Sequence, residues 1–235
     1  MRHRIPTVLV AATAVVALPS TASAALVADW KMDEEGPADA TVVMEDSAGT
    51  NDGTTHSVIT GVPGLVTGSA RAYRFDGTTS WVEVPDSPTL DPESADFAVK
   101  ATVHVEDGQI LDDSYDVIRK GDTKTAGGFW KMEIHRVASN TTVGKLRCAY
   151  KGILPDGTRS LASKQATPDI VDGRTHTLQC KRIGNTVSAV VDGTSYSLTK
   201  STGRVDNNSI VMVGSKVAGD DVLQGDIDEV SIDKG

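Results

Sequence analysis

The chain has 235 residues, a formal net charge of −9, 39% hydrophobic but only 4% aromatic residues, and two cysteines. So acidic a balance argues against nucleic acid and anionic membranes as partners of the surface as a whole, while leaving room for a local basic patch. Two cysteines without C-x-x-C spacing, and five histidines never paired at ligand spacing, give zinc chemistry no support.

Residues 1–24, "MRHRIPTVLVAATAVVALPSTASA", read as a secretory signal peptide. Arg2 and Arg4 open it, an apolar run covers 8–18, and Ala22-Ser23-Ala24 resembles a cleavage site. The apolar run is shorter than the ~20 residues that cross a bilayer, so no membrane insertion is expected. The expected product, residues 25–235, is one secreted, extracellular domain. Without Arg2 and Arg4, 21 basic residues of the original 23 face 32 acidic ones, a net charge of −11. Export places Cys148 and Cys180 in an oxidising compartment, where an even pair is expected to bridge.

Beyond residue 25, short runs rich in Val, Ile, Thr and aromatics alternate apolar and polar positions. They are "RAYRFDG", "SWVEVPD", "DFAVKATVHVED", "YDVIRKGD", "GFWKMEIHRV", "GKLRCAYKG", "HTLQCKRIGN", "TVSAVVDGTSYSLT", "SIVMVGS" and "GDIDEVSID". Turn signals such as "FDG", "PDG", "VDG" and "IGN" separate them, and no window has helical periodicity. The pattern predicts an all-β sandwich or barrel. Residues 33–69 read as a loop-rich wrap around the sandwich edge, and 84–96 as a Pro-rich connection.

Period-2 alternation assigns faces. Trp130, Met132 and Ile134 point inward, leaving Phe129, Lys131, Glu133 and His135 outward. Leu146, Cys148 and Tyr150 inward leave Lys145, Arg147 and Lys151 outward. Leu178 and Cys180 inward leave Thr177, Gln179 and Lys181 outward. The cysteines then point the same way, as a cross-strand bridge needs, and Lys131, Arg147 and Lys181 are expected as neighbours in a basic stripe. Trp30 and Trp81 are expected in the core.

The ordered set "ADWKMDEEG", "DSAGTNDG", "GSARAYRFDGTTSWVEVPDSPTLD", "DFAVKATV", "VIRKGD", "THTLQCKRIGNTVSAVVDG" and "GDIDEVSI" resembles a bacterial laminin G-like domain of the concanavalin A-like lectin/glucanase superfamily. The resemblance covers about residues 26–233. It implies a jelly roll of two antiparallel sheets with the first and last strands adjacent. Thr175-His176 stands where the family often has Trp-His, which implies a missing core aromatic.

The resemblance also frames the sites. Laminarinase-type hydrolases of the superfamily carry E-x-D-x-x-E on one strand; here Gln224, Asp226 and Glu229 occupy those positions, so the nucleophile position is an amide and no catalytic set is assigned. Relatives often hold a structural calcium where the last strand meets the early loops, which makes Asp46, Asp76 and Asp228 candidate Ca²⁺ ligands. The alternative is that these carboxylates only serve turns. Sugar-binding relatives use one sheet face and its rim, which makes Phe129, Lys131, His135, Arg147, Lys151 and Lys181 candidates for an extracellular glycan, especially an acidic polysaccharide. "EIHRV" resembles the Gln-Ile-His of alginate lyases with Glu133 in place of Gln. The competing functions are a lyase or hydrolase of this fold, or a protein–protein adhesion module.

Overall fold

The computed structural model describes residues 24–37, 40–109, 111 and 114–235; the expected signal peptide, Ala24 apart, lies outside them. In chain order the strands are β1 (Ala25–Trp30), β2 (Val43–Met44), β3 (Gly53–His56), β4 (Ile59–Pro63), β5 (Arg71–Asp76), β6 (Trp81–Val84), β7 (Phe97–His104) and β8 (Tyr115–Lys120). They continue as β9 (Phe129–Val137), β10 (Asn140–Ile153), β11 (Arg159–Gln165), β12 (Thr175–Ile183), β13 (Thr186–Val191), β14 (Thr194–Thr199), β15 (Val211–Val213) and β16 (Gln224–Lys234). Helix among the described residues is confined to a 3-10 turn, Pro88–Leu90, capped by the Ser87 side chain within the expected Pro-rich connection. The segment read as loop, 33–69, carries the short strands β2, β3 and β4.

The strands form two antiparallel sheets packed as a jelly-roll sandwich. The first runs β14-β13-β12-β7-β16-β5-β4 with β1 added to β16; the second runs β11-β10-β9-β8-β15-β6-β3-β2. β1 and β16 pair antiparallel, Trp30 opposite Val230, so the first and last strands do adjoin. Local chemistry sets the corners. Asp192 and Gly193 both have positive φ, 48° and 81°, the backbone of a two-residue hairpin turn whose twist suits β13 and β14.

The core fills the space between the sheets, and the alternation read from sequence holds strand by strand. Trp130, Met132, Ile134, Leu146, Cys148, Tyr150, Leu178 and Cys180 are all buried in it. Cys148 and Cys180 are disulfide-bonded, with Cα atoms 5.3 Å apart. The expected pairing across neighbouring strands is corrected here: Cys148 lies on the second sheet and Cys180 on the first, so each points inward toward the other. Facing sheets usually stand ~10 Å apart, so the sandwich pinches shut at this corner. The Tyr150 hydroxyl donates to the Cys180 carbonyl at 3.0 Å and reinforces it. Thr175 is exposed, so no core aromatic is missing at that position; His176 is the buried member of the pair.

Two of the register shifts in the sheets decide which residues reach the core and which face outward. In β16 the register shifts between Asp228 and Ser231, with Glu229 at φ 49°, so Ile227 and Val230, three apart, both reach the core. In β8 the shift falls between Asp116 and Ile118, so Asp116 and Arg119, also three apart, both face outward.

Candidate functional site

The outer face of the second sheet carries two transverse rows of side chains, all polar except Met212. One runs Glu83, Met212, Arg119, Lys131 across β6, β15, β8 and β9, each directly opposite the next. The other runs Asp116, Glu133, Arg147, Gln165 across β8, β9, β10 and β11. The β8 bulge is what brings an acid and an arginine three residues apart into this one face.

The rows are knit by charge. Glu133 is buried and accepts from both Lys131 Nζ and Arg147 Nε. Arg119 Nη1 donates to Asp116 Oδ2 at 2.7 Å, and its Nε donates to the Gly121 carbonyl at 2.9 Å. Burial pushes the Asp116 carboxyl up to about 6, against the opposing pull of Arg119 and Lys131. Arg147 Nη1 also lies 3.2 Å from His135 Nε2, whose Nδ1 is 2.8 Å from Ser114 Oγ. Because a guanidinium only donates, Nε2 accepts and the ring proton sits on Nδ1.

Beside these rows a groove of about 310 Å³ is lined by Glu83, Arg119, Asp122, Met212, Lys216 and Val217, among others. The Gly127-Gly128 turn closes the loop that forms one wall. A Cβ on Gly127 would stand 1.7 Å from the Asp206 carbonyl, and one on Gly128 1.8 Å from that of Lys151, so only glycine fits this approach. Trp81 stands next to the groove, half-buried on the outer face. Its Nε1 donates to Glu83 Oε1 at 3.0 Å, and His56 stacks on it at 4.9 Å between centroids with planes 16° apart. The expectation of a core Trp81 is therefore corrected, while Trp30 is fully buried as expected. Trp81 begins a four-residue strand whose inward positions are Val82 and Val84, a register its sequence carried.

The expected basic stripe is only partly assembled. Lys131, His135 and Arg147 share this face. Lys181 does not, because β12 belongs to the opposite sheet. Lys151 is drawn aside, its Nζ donating to the Thr123 carbonyl at 2.7 Å, and Phe129 is buried. Asp116, Arg119, Glu83 and Trp81 were missed as site residues; the outward phase of Arg119 depends on a bulge that alternation cannot reveal.

The candidate calcium ligands do not come together, and among the described residues no group of three or more His, Cys, Asp or Glu is placed to hold a metal. Asp46 accepts from the backbone N–H groups of Asp29, Ala48 and Asn51 and from the Asn51 amide. Burial opposes ionisation there, but these donors hold its carboxyl below the usual range. Asp76 receives the N–H groups of Thr78, Thr79 and Ser80 and the hydroxyls of Thr79 and Ser80. Despite burial, they depress it further. Asp228 is fully buried and accepts from Leu65 N–H at 2.8 Å and Ser69 Oγ at 3.2 Å; burial outweighs these and raises it. Donor hydrogens aimed at a carboxylate occupy the lone pairs a cation would need, so the three acids as placed do not fit a shared ion. Asp226, two residues before Asp228 on the last strand, forms a two-bond pair with Arg74, opposite it on β5, at 2.7 and 2.9 Å.

No family model matches the chain, and neither does any curated protein. Solved structures do. Domain 4 of an extracellular arabinanase from Geobacillus stearothermophilus, solved in complex with arabinotriose, is similar at TM-score 0.64 and 17% identity, over 90% of this chain and 93% of that one. The binding domain of Paraclostridial Mosquitocidal Protein 1 is similar at TM-score 0.59 and 16% identity over 88% of this chain. Trypanosoma rangeli sialidase, in complex with 2,3-difluorosialic acid, is similar at TM-score 0.59 and 15% identity over 88% of this chain. The chain spans 48% of the mosquitocidal binding domain's length and 30% of the sialidase's. At these identities the likeness is one of fold.

Proposed function

We propose that the protein is a secreted, non-catalytic carbohydrate-binding domain whose glycan lies along the outer face of the second sheet. The observation that carries this reading is Trp81, a partly exposed indole beside a groove rimmed by alternating acids and bases. A pyranose or furanose offers an apolar C–H face and a rim of hydroxyls. A flat ring suits the first, and paired carboxylates and guanidinium groups suit the second. The arabinotriose held by the arabinanase domain, a module of nearly the same extent, supports a glycan as the ligand class.

Acidic polysaccharide is the finer part of the proposal. Arg119, Lys131 and Arg147 balance Glu83, Asp116 and Glu133 across the rows, so this face is neutral on a chain of net charge −9. The Arg147 side chain, 30% exposed, is the cation best placed to turn from Glu133 to an incoming carboxylate. A uronate-containing glycan should then outbind its neutral counterpart, by a margin that shrinks with salt.

The test is a glycan array followed by calorimetry on hits, with reducing-end and unsaturated-product assays on the same glycans. Binding without turnover is expected. Trp81→Ala should weaken it by roughly tenfold or more, since an aromatic contact contributes on the order of a kcal/mol beyond its area. Turnover abolished by one substitution in the Glu133–His135–Arg147 group would instead make the protein an enzyme. Binding indifferent to Trp81 would move the site elsewhere.

A further inference from the structure

Lys120, the last residue of β8, is a fully buried lysine, walled by its strand partners Trp130 and Val211. Its Nζ lies 2.6 Å from Asp91 Oδ1, 2.7 Å from Asp86 Oδ1 and 2.7 Å from the Asn207 carbonyl oxygen. The two acids differ in setting. The Asp91 side chain is 5% exposed, that of Asp86 35%. Asp91 Oδ1 also receives the backbone N–H of Asn207, at 3.2 Å. One amine thus meets a dry carboxyl whose oxygen already has a backbone donor, and a second carboxylate open to solvent on one side. Those are the parts of an acyl transfer: a nucleophile, an acceptor with a donor for the developing oxyanion, and a proton carrier. Separate charges buried here are costly, and an amide would remove both.

We propose that Lys120 and Asp91 become joined, after folding, by an intramolecular isopeptide bond, with Asp86 carrying the protons. The Asp86 carboxylate takes a proton from the Lys120 ammonium and leaves a neutral amine. The nitrogen lone pair attacks Cγ of Asp91 in its neutral acid form, and the carbonyl electron pair moves onto Oδ1, held by the Asn207 N–H. Asp86 returns its proton to the Oδ2 hydroxyl, which leaves as water when the carbonyl reforms, and takes the surplus proton from nitrogen. Ammonium, acid and carboxylate thereby give amide, water and a protonated Asp86, which releases its proton to solvent. No oxidant, reductant or other reactant takes part. Burial raises the Asp91 carboxyl above its ordinary value, in the direction that favours the neutral acid, although Lys120 opposes it. Contact held by the fold replaces the improbable encounter of amine and acid in water. The bond would tie the connection between β6 and β7, which crosses between the sheets, to the middle of the second sheet.

Intact mass of the folded, purified chain decides the matter. With its disulfide reduced, the protein is expected to weigh one water less than its sequence, about 18 Da. Tryptic digestion should leave Lys120 uncleaved and give one branched peptide joining the segments around Asp91 and Lys120. Lys120→Arg and Asp86→Asn should each restore the full mass, with circular dichroism and the disulfide reporting that the fold persists. If either variant fails to fold, the wild-type mass and branched peptide still decide. Full mass in folded wild-type protein would overturn the proposal. So would a water loss that maps to a cyclised Asp-Gly step, at Asp52, Asp76, Asp107, Asp156, Asp172 or Asp192, with no branched peptide.

Discussion

Asp228 illustrates how much one buried acid does when it is fully engaged. Its two oxygens reach from the last strand to Leu65 N–H and Ser69 Oγ, and so fasten the connection between β4 and β5 to the first sheet. Asp228→Ala strands a part-buried N–H and should cost about 1–3 kcal/mol in chemical denaturation. Because the contribution comes from hydrogen bonds within the chain, the loss should be equal in excess calcium and in EDTA. A wild-type midpoint that rises with calcium only while Asp228 is intact would instead reveal a bound cation. Arg182, on β12 of the same sheet, makes a similar point. Its guanidinium donates to the carbonyls of Pro92, Glu93, Ala95 and Gly203, gathering two loops around one buried side chain. A lysine has one nitrogen where arginine has three. Arg182→Lys should therefore leave carbonyls unpaired and destabilise by about 2 kcal/mol or more.

The strands show why some of the site was readable and some was not. Inward and outward phase is a local property of a strand, and for β9, β10 and β12 the alternation placed both cysteines, Trp130 and Tyr150 in the core correctly, while Phe129, phased outward, is buried all the same. Which sheet a strand joins is not local. β10 and β12 both bury their cysteines, yet they sit on opposite walls, so Arg147 and Lys181 face away from one another on opposite sides of the molecule. Bulges are equally silent. Nothing in "YDVIRK" or "DIDEVS" distinguishes a regular strand from one with an inserted residue, and the insertion decides the direction of Arg119 and Val230. The disulfide, in contrast, was legible from an even pair of cysteines each phased inward, though not the two sheets it joins. It closes a 32-residue separation and should contribute about 3–4 kcal/mol by restricting the unfolded chain. A Cys148→Ala, Cys180→Ala double variant should lose about that much in urea denaturation with the two-sheet spectrum retained. A loss under 1 kcal/mol would mean that the pinch between the sheets is held by Tyr150 and core packing instead.

The whole molecule should be more stable in mild acid than at neutral pH, because its displaced groups act in one direction across that range. Asp116 is held near 6 rather than 3.8, first by burial, with Arg119 and Lys131 pulling the other way and Glu133 pushing with it. Between those values the folded chain binds more protons than the unfolded one, so stability falls as pH rises from about 4 to 6. His176, bridged by Asp192 at 2.7 Å and Asp172 at 3.0 Å, titrates above its usual 6.5 because those partners outweigh burial. Its contribution is full below 6.5 and disappears as pH rises through the higher folded value. The depressed carboxylates Asp46 and Asp76 work oppositely: they stabilise above about 3.8 and lose that contribution only in stronger acid. A net charge of −9 adds self-repulsion that acid relieves. The unfolding midpoint should therefore climb from pH 8 to a maximum near 4–5 and drop below about 3.5. Asp116→Asn, which keeps an acceptor for Arg119 but cannot ionise, should flatten the rise between 6 and 4, a segment of order 2–3 kcal/mol. His176→Gln should flatten the part above 6.5 and leave the acid side intact. A wild-type profile level from pH 8 to 5 would show that Asp116 is ionised throughout, with Arg119 and Lys131 outweighing its burial.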